Sequence, residues 1–215
     1  MATRTLIAIP SLDAMVPIQT LNLVARAVAS GHACLTVPAA YPREYAKNLC
    51  VKMFAEAPEE RLLIVDADMV PTWEAFEAVQ ALIDEGYDAA VARCLIGTKT
   101  EDKKGYAPTP AIYELVDGSY VPYDISEAGE VDGIGGAFTC YTRALLSDPK
   151  LHLDEAGAVF RNILEDDGKV RWSEDLDFSF RARELGYHLA ATPERVGHLK
   201  VLDLDLVENS IERSG

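Results

Sequence analysis

Three strand–helix units and a fourth strand fill the first ninety residues, and this alternation restricts the fold more than any other feature. Residues 5–9 form a short apolar run stopped by Pro10. Helical spacing follows over 17–30, with Ile18, Leu21, Ala25 and Val28 on one face. Pro17 suits a first helical position, and Gly31 suits the position after a C-cap. The pattern repeats with a strand at 33–37 and a helix at 42–57, where Ala46, Leu49, Cys50, Met53, Phe54 and Ala57 recur at helical intervals. It repeats again with a strand at 62–65 and a helix opened by Pro71 and closed by Gly86. Residues 88–93 supply the fourth strand. Strands separated by helices pair through crossovers, so the pattern predicts an α/β fold with a mainly parallel, mixed central sheet.

The second half reads differently. Residues 94–110 are polar and rich in lysine and threonine, and are expected to form a mobile loop, a candidate lid carrying Lys99, Lys103 and Lys104. Residues 112–116 and 120–123 flank Asp117-Gly118, a hairpin signal. The glycine-rich stretch 131–138 leads into a strand and a short helix, and 149–168 reads as an acidic loop. A helix is expected over 174–185, ended by Gly186, and a last strand over 187–191 leads to Val196-Gly-His-Leu199.

At 215 residues a single domain with a sizeable core is expected. The formal net charge of −15 argues against non-specific nucleic-acid binding. Cys34, Cys50, Cys94 and Cys140 are widely spaced with no C-x-x-C, which suits free thiols in a reducing compartment. No apolar run approaches the roughly 20 residues of a membrane span, and residues 1–10 read as a strand rather than a signal peptide. The expected location is cytoplasmic.

Chemistry concentrates at three places. Leu62 to Val65 ends in Asp66 and Asp68, separated by one alanine. In open α/β sheets, ligands bind outside the carboxyl ends of the strands. Two acids there need a cation or donors, and oxygen ligands suit Mg²⁺ or Mn²⁺ shared with phosphates. The same spacing also fits a helix cap with an acidic first turn. Glu174-Asp175 opens a late helix, either as a cap or as a general base. His198 follows a glycine in an apolar stretch and is able to pack, to hydrogen-bond or to complete a carboxylate site.

The ordered motifs resemble those of GT-A fold glycosyltransferases, above all small family-2-like enzymes of bacterial and phage type. The resemblance rests on Ile9-Pro10-Ser11, Ala46-Lys47-Asn48 and Asp66-Ala-Asp-Met69. It continues through Gly133-Ile-Gly-Gly136 followed by Arg143, Ser173-Glu-Asp175 followed by Arg181 and Gly186, and Gly197-His198-Leu199. It implies one GT-A (Rossmann-like) domain, with 1–93 as the nucleotide-binding half, 94–199 as the acceptor half and 200–215 as a tail. It implies metal-dependent transfer of a hexose, with inversion favoured over retention, from a UDP- or GDP-sugar to an unidentified acceptor hydroxyl. Asp68 would bind Mn²⁺ or Mg²⁺ with His198, and Asp66 would contact the metal shell or the donor. Asp175, paired with Glu174, would be the catalytic base. Pro10, Ser11, Lys47, Asn48, Gly135 and Gly136 would line the donor pocket. The helix motif is commonly Ala-Arg-Asn, and Lys47 replaces its arginine. Lysine keeps the charge and loses the planar fork, which puts its donor contact in question.

Two other readings stand beside this one. Asp66-Ala-Asp-Met-Val70 fits the nucleophile loop of a haloacid-dehalogenase-type phosphatase, although that loop normally follows the first strand. A catalytically inactive nucleotide-sugar-binding module would keep the same fold.

Overall fold

The computed structural model describes residues 3–11, 16–38, 42–99, 106–166 and 168–199; the 200–215 tail, Lys103 and Lys104 lie outside them. The first half follows the expected alternation: β1 (Thr5–Ser11), α1 (Ile18–Ala29), β2 (Ala33–Pro38), α2 (Arg43–Glu56), β3 (Arg61–Val65), a short β4 (Met69–Val70), α3 (Trp73–Asp84) and β5 (Ala89–Lys99). Then come β6 (Tyr106–Pro110), β7 (Ile112–Val116), β8 (Ser119–Pro122), β9 (Gly129–Glu130), β10 (Gly133–Ile134), β11 (Phe138–Thr142) and α4 (Arg143–Leu146). The described chain closes with β12 (Ile163–Leu164), β13 (Val170–Trp172), α5 (Glu174–Glu184) and β14 (Leu189–His198).

The central sheet runs β2-β1-β3-β11-β5-β14-β4, with β6 and β9 attached at β5 and β14. β2, β1 and β3 are parallel, as are β5 and β14. β11 is inserted antiparallel between β3 and β5. This is the mixed, mainly parallel sheet the alternation predicts. The insertion matters for the site: Phe138 pairs with Val65, so the start of β11 lies beside the carboxyl end of β3.

Period-two alternation divides the core between the two faces of the sheet. Leu6, Ala8, Leu62 and Ile64 face α2, α4 and α5, where Phe54, Tyr141, Phe160 and Phe178 pack. Ile7, Ile9, Leu63 and Val65 face α1 and α3, where Leu23, Phe76, Val79 and Leu82 pack. Strands apolar on both faces are what a centrally placed parallel sheet requires. Burying each such side chain stabilises the fold by about 1.5–3 kcal/mol.

The hairpin of β7 and β8 turns at Asp117-Gly118, whose φ angles of 49° and 76° are both left-handed, as a tight hairpin turn demands. The expected loop at 94–110 is corrected. β5 continues through Lys99 and pairs antiparallel with β6, from Leu95 with Pro110 to Lys99 with Tyr106. Backbone pairing ties these two ends of the segment together, with 100–105 outside the described residues, and Pro108 and Pro110 are tolerated because, among the described residues, β6 has β5 as its single sheet neighbour. The acidic 149–168 stretch is also tied down. Arg181 donates to the carbonyls of Leu151 and Val159, and β12 pairs with β13. Among the described residues no helix is long and apolar enough to cross a membrane.

Candidate functional site

The carboxyl edge of the sheet gathers the acidic groups. Asp66 lies one residue past β3, its N–H donating to the Ala137 carbonyl at 2.9 Å. Asp66 and Met69 form a tight turn through Met69 N–H and the Asp66 carbonyl at 3.0 Å, which projects Asp68 outward. β14 returns to this turn: Gly197 pairs with Val70, His198 pairs with Met69, and Leu199 N–H donates to the Asp68 carbonyl at 2.8 Å. His198 Nε2 thereby sits 2.7 Å from Asp68 Oδ2. Residues 130 positions apart meet because one short antiparallel pairing joins the two segments.

The Asp68–His198 pair is open. The Asp68 side chain is 50% exposed, and the buried Nδ1 of His198 has no hydrogen-bond partner. A carboxylate oxygen 2.7 Å from an imidazole Nε2 is a donor pair that a divalent ion accepts in place of their mutual contact, whereas the unpartnered Nδ1 is buried elsewhere on the ring. Among the described residues there is no cluster of three or more His, Cys, Asp and Glu side chains placed to hold a metal. An ion there would take Asp68 and His198 from the described residues, and Mg²⁺ usually keeps several water or phosphate oxygens besides its protein ligands. Ser11, at the end of β1, also has a buried hydroxyl with no partner. Pro10 precedes it, paired in register with Val37 of β2.

The second acidic pair is closed. Glu174 and Asp175 form the first turn of α5, and Asn162 Oδ1 accepts from Glu174 N–H at 3.0 Å, capping the helix in place of Ser173. Lys47 of α2 reaches across to both acids, donating to Glu174 Oε1 at 3.0 Å and to Asp175 Oδ1. Asp175 Oδ2 accepts from Gly136 N–H at 2.9 Å. Lys47 is 3% exposed and Glu174 5%, so these charges stand almost wholly out of water. Burial alone would discharge Lys47, but Asp175 and Glu174 outweigh it and hold the ammonium well above the usual lysine range. The two acids diverge around their shared cation. Burial acts to raise Glu174, but Lys47 outweighs it and holds the carboxyl below its usual range. Burial also raises Asp175, and with the repulsion of Glu174 it prevails over Lys47. Asp66 is pushed up to about 6 by burial, against the pull of Lys47.

The glycines serve this closed pair. A Cβ at Gly136 would fall on Lys47 Nζ and Asp175 Oδ1, so the contact requires glycine there. A Cβ at Gly135 would press on Ala111 Cβ at 2.7 Å. Both therefore lie against this protein's own groups.

Asn48 uses its amide internally: Nδ2 donates to the Phe160 carbonyl, and Oδ1 accepts from the N–H groups of Val159 and Phe160, each at 2.9 Å. It anchors the segment that packs Phe160 beneath Lys47. Arg143, part of the glycine motif by spacing, caps α2 by donating to the Phe54, Ala57 and Glu59 carbonyls. Sequence reasoning missed the capping role of Asn162 and the burial of Lys47. The burial had a signal: Lys47, Cys50, Val51 and Phe54 lie at i, i+3, i+4 and i+7, the inward stripe of α2.

No family model matches the sequence, and no curated protein does. Solved structures do match. A197 from STIV aligns over 93% of this chain and 87% of its own, at 21% identity and a TM-score of 0.59. GalNAc-T7 with UDP, GalNAc and Mn²⁺ aligns over 94% of this chain at 13% identity and a TM-score of 0.53, and the chain spans 44% of that protein. Glucosyl-3-phosphoglycerate synthase from Mycobacterium tuberculosis, in complex with Mg²⁺ and UDP, aligns over 96% of this chain and 74% of its own, at 12% identity and a TM-score of 0.52. At these identities the likeness is one of fold: the chain has the GT-A, Rossmann-like α/β architecture of these neighbours.

Proposed function

We propose that this protein is a metal-dependent glycosyltransferase that moves a hexose from a UDP- or GDP-sugar to an acceptor hydroxyl with inversion. The observation that carries the reading is the pairing of an open Asp68–His198 edge with a closed, buried Asp175 at the carboxyl end of one sheet. Two fold neighbours support it, one having been solved with UDP and Mn²⁺ and the other with UDP and Mg²⁺. Asp68 and His198 would hold Mn²⁺ or Mg²⁺, which supplies Lewis-acid stabilisation of the diphosphate leaving group. Ser11 offers its unpartnered hydroxyl to the nucleotide, beside Pro10. Asp66 lies between the two acidic pairs and is read as a contact to the donor or the metal shell. Gly136 leaves the space that the Lys47–Asp175 contact fills, and Gly135 allows the close approach of Ala111, so both would shape the pocket from behind.

Asp175 takes the proton of the acceptor hydroxyl as its oxygen attacks the anomeric carbon. Its carboxylate has lone pairs beyond those facing Lys47 and Gly136, so the bonds that fix it leave an acceptor site. Glu174 shares the cation and holds the first turn of α5 in place. Asn48 acts through the backbone it anchors. The fold is expected to act as a single domain.

A thermal-shift screen of nucleotide sugars with and without Mn²⁺ tests the reading. The matching donor raises the melting temperature in the presence of metal, because a ligand that binds the native state stabilises it by mass action. No shift with any UDP- or GDP-sugar would contradict the assignment.

A further inference from the structure

We propose that Lys47 is a positioning residue for the proposed base, an internal cation that fixes the Asp175 carboxylate and opposes its protonation. The inference rests on the transferase reading for its catalytic consequence, but the electrostatic half stands on geometry alone. Lys47 Nζ contacts Asp175 Oδ1 directly and Glu174 Oε1 at 3.0 Å, with its own side chain 4% exposed. Its alkyl stem rises from the inward stripe of α2, and Phe160 lies 5.8 Å from the ammonium. The Phe160 segment is held in turn by three hydrogen bonds with Asn48, the residue after Lys47, which donates one and accepts two. Gly136 completes the clamp twice over: its N–H donates to Asp175 Oδ2, and its missing Cβ leaves the space the ion pair occupies.

A cation buried this thoroughly is not a solubilising charge. Removing one partner of a buried ion pair leaves the other uncompensated and costs far more than losing a surface pair. The groups facing Asp175 are Lys47 from α2, Glu174 beside it on α5, Asp66 after β3, Tyr141 of β11 and Tyr113 of β7. Lys47 is the cation in direct contact with Asp175; Arg43, a turn earlier on α2, acts on Glu174 and Asp66, and the Gly136 N–H also favours the Asp175 anion. Without Lys47, burial and the neighbouring anions all act in one direction, toward a protonated Asp175 that cannot accept a proton. Lysine in place of arginine suits this task, because a compact ammonium on a flexible stem reaches two carboxylates from inside a helix interface.

The test uses Lys47→Met, which keeps the stem and removes the charge, and Lys47→Arg, which restores it. Slow hydrolysis of the donor by water, read as UDP or GDP release with Mn²⁺ present, serves as the assay because it needs no acceptor. Lys47→Met is expected to lower turnover at pH 7 by about 10²-fold, the scale of a lost general base. It should also move the acid limb of the pH–rate profile to higher pH, with donor affinity within about threefold of wild type. Lys47→Arg should move the limb back toward its wild-type position. A folded Lys47→Met variant with unchanged turnover and an unchanged acid limb would overturn the inference. Should Lys47→Met fail to fold, Gly136→Ala asks the same question, since its Cβ displaces the Lys47–Asp175 contact, and an unmoved acid limb there overturns the inference equally. Carboxyl-carbon NMR of Asp175 separates this inference from the transferase reading. Absence of turnover in the wild type sinks the transferase reading. An Asp175 titration identical in wild type and Lys47→Met sinks the Lys47 inference, whatever the activity.

Discussion

Asp175 and Asp68 occupy the same edge of the sheet under opposite conditions. The Asp175 side chain is 16% exposed, with one oxygen on Lys47 and the other on Gly136 N–H. The Asp68 side chain is 50% exposed and faces His198, whose second ring nitrogen has no partner. The first arrangement is completed by the protein itself. The second is half open to solvent. A carboxylate held from both oxygens by the protein's own donors suits a group that must keep one geometry. Half-exposed donors suit a ligand that arrives and leaves. Under the proposed function the contrast separates chemistry from binding within a single site.

The strongest way to break that separation is Asp175→Asn. Shape and helix capping survive, so donor affinity is expected to stay within a few fold while transfer falls by roughly 10²- to 10⁴-fold. Single-turnover kinetics beside calorimetry measures both quantities, and equal losses in the two would merge the regions into one. Next in size is the support under the closed side. Phe178 is 1% exposed and packs 4.9 Å from Phe160 and 5.5 Å from Tyr141, ring centre to ring centre. Phe178→Ala should cost about 3–5 kcal/mol by denaturant unfolding. It should loosen α5 while leaving the Asp68–His198 pairing on β14 in place.

The smallest expected effect is a pH dependence. Asp66 carries a folded-state pKa of about 6 against an ordinary value of 3.8, the shift arising first from burial. A raised carboxyl favours the fold while protonated, below the unfolded value, and that advantage is lost as pH rises through 6. At pH 7–8 the wild type therefore holds a buried anion at a penalty of roughly 1–3 kcal/mol, given about 1.4 kcal/mol per pKa unit. Asp66→Asn should raise stability at pH 7–8 and flatten the slope between about pH 4 and 6. A slope unchanged by the substitution would show that Asp66 is not the titrating group.

Local pattern announced what local physics controls. The strand–helix alternation, the Asp117-Gly118 turn and the placement of Asp66 at a strand end all follow from periodicity, turn chemistry and burial within a few residues. What escaped was non-local. The antiparallel insertion of β11 between β3 and β5 depends on partners far along the chain. The 94–110 segment looked loose because its side chains are polar, yet backbone pairing joins 95–99 to 106–110. Lys47 meets Asp175 across 128 residues, and Asn48 meets Phe160 across 112. In both cases the residue was visible as a motif, while its partner was set by how α2 and α5 pack on one face of the sheet.

The most direct measurement of the central claim is a calorimetric titration of UDP, and separately of GDP, into wild type and Asp68→Ala, with Mn²⁺ and with chelator. The account predicts that metal tightens binding of one of them to the wild type by about tenfold or more, and that Asp68→Ala removes the metal effect. Equal affinity with metal and with chelator in the wild type would contradict it.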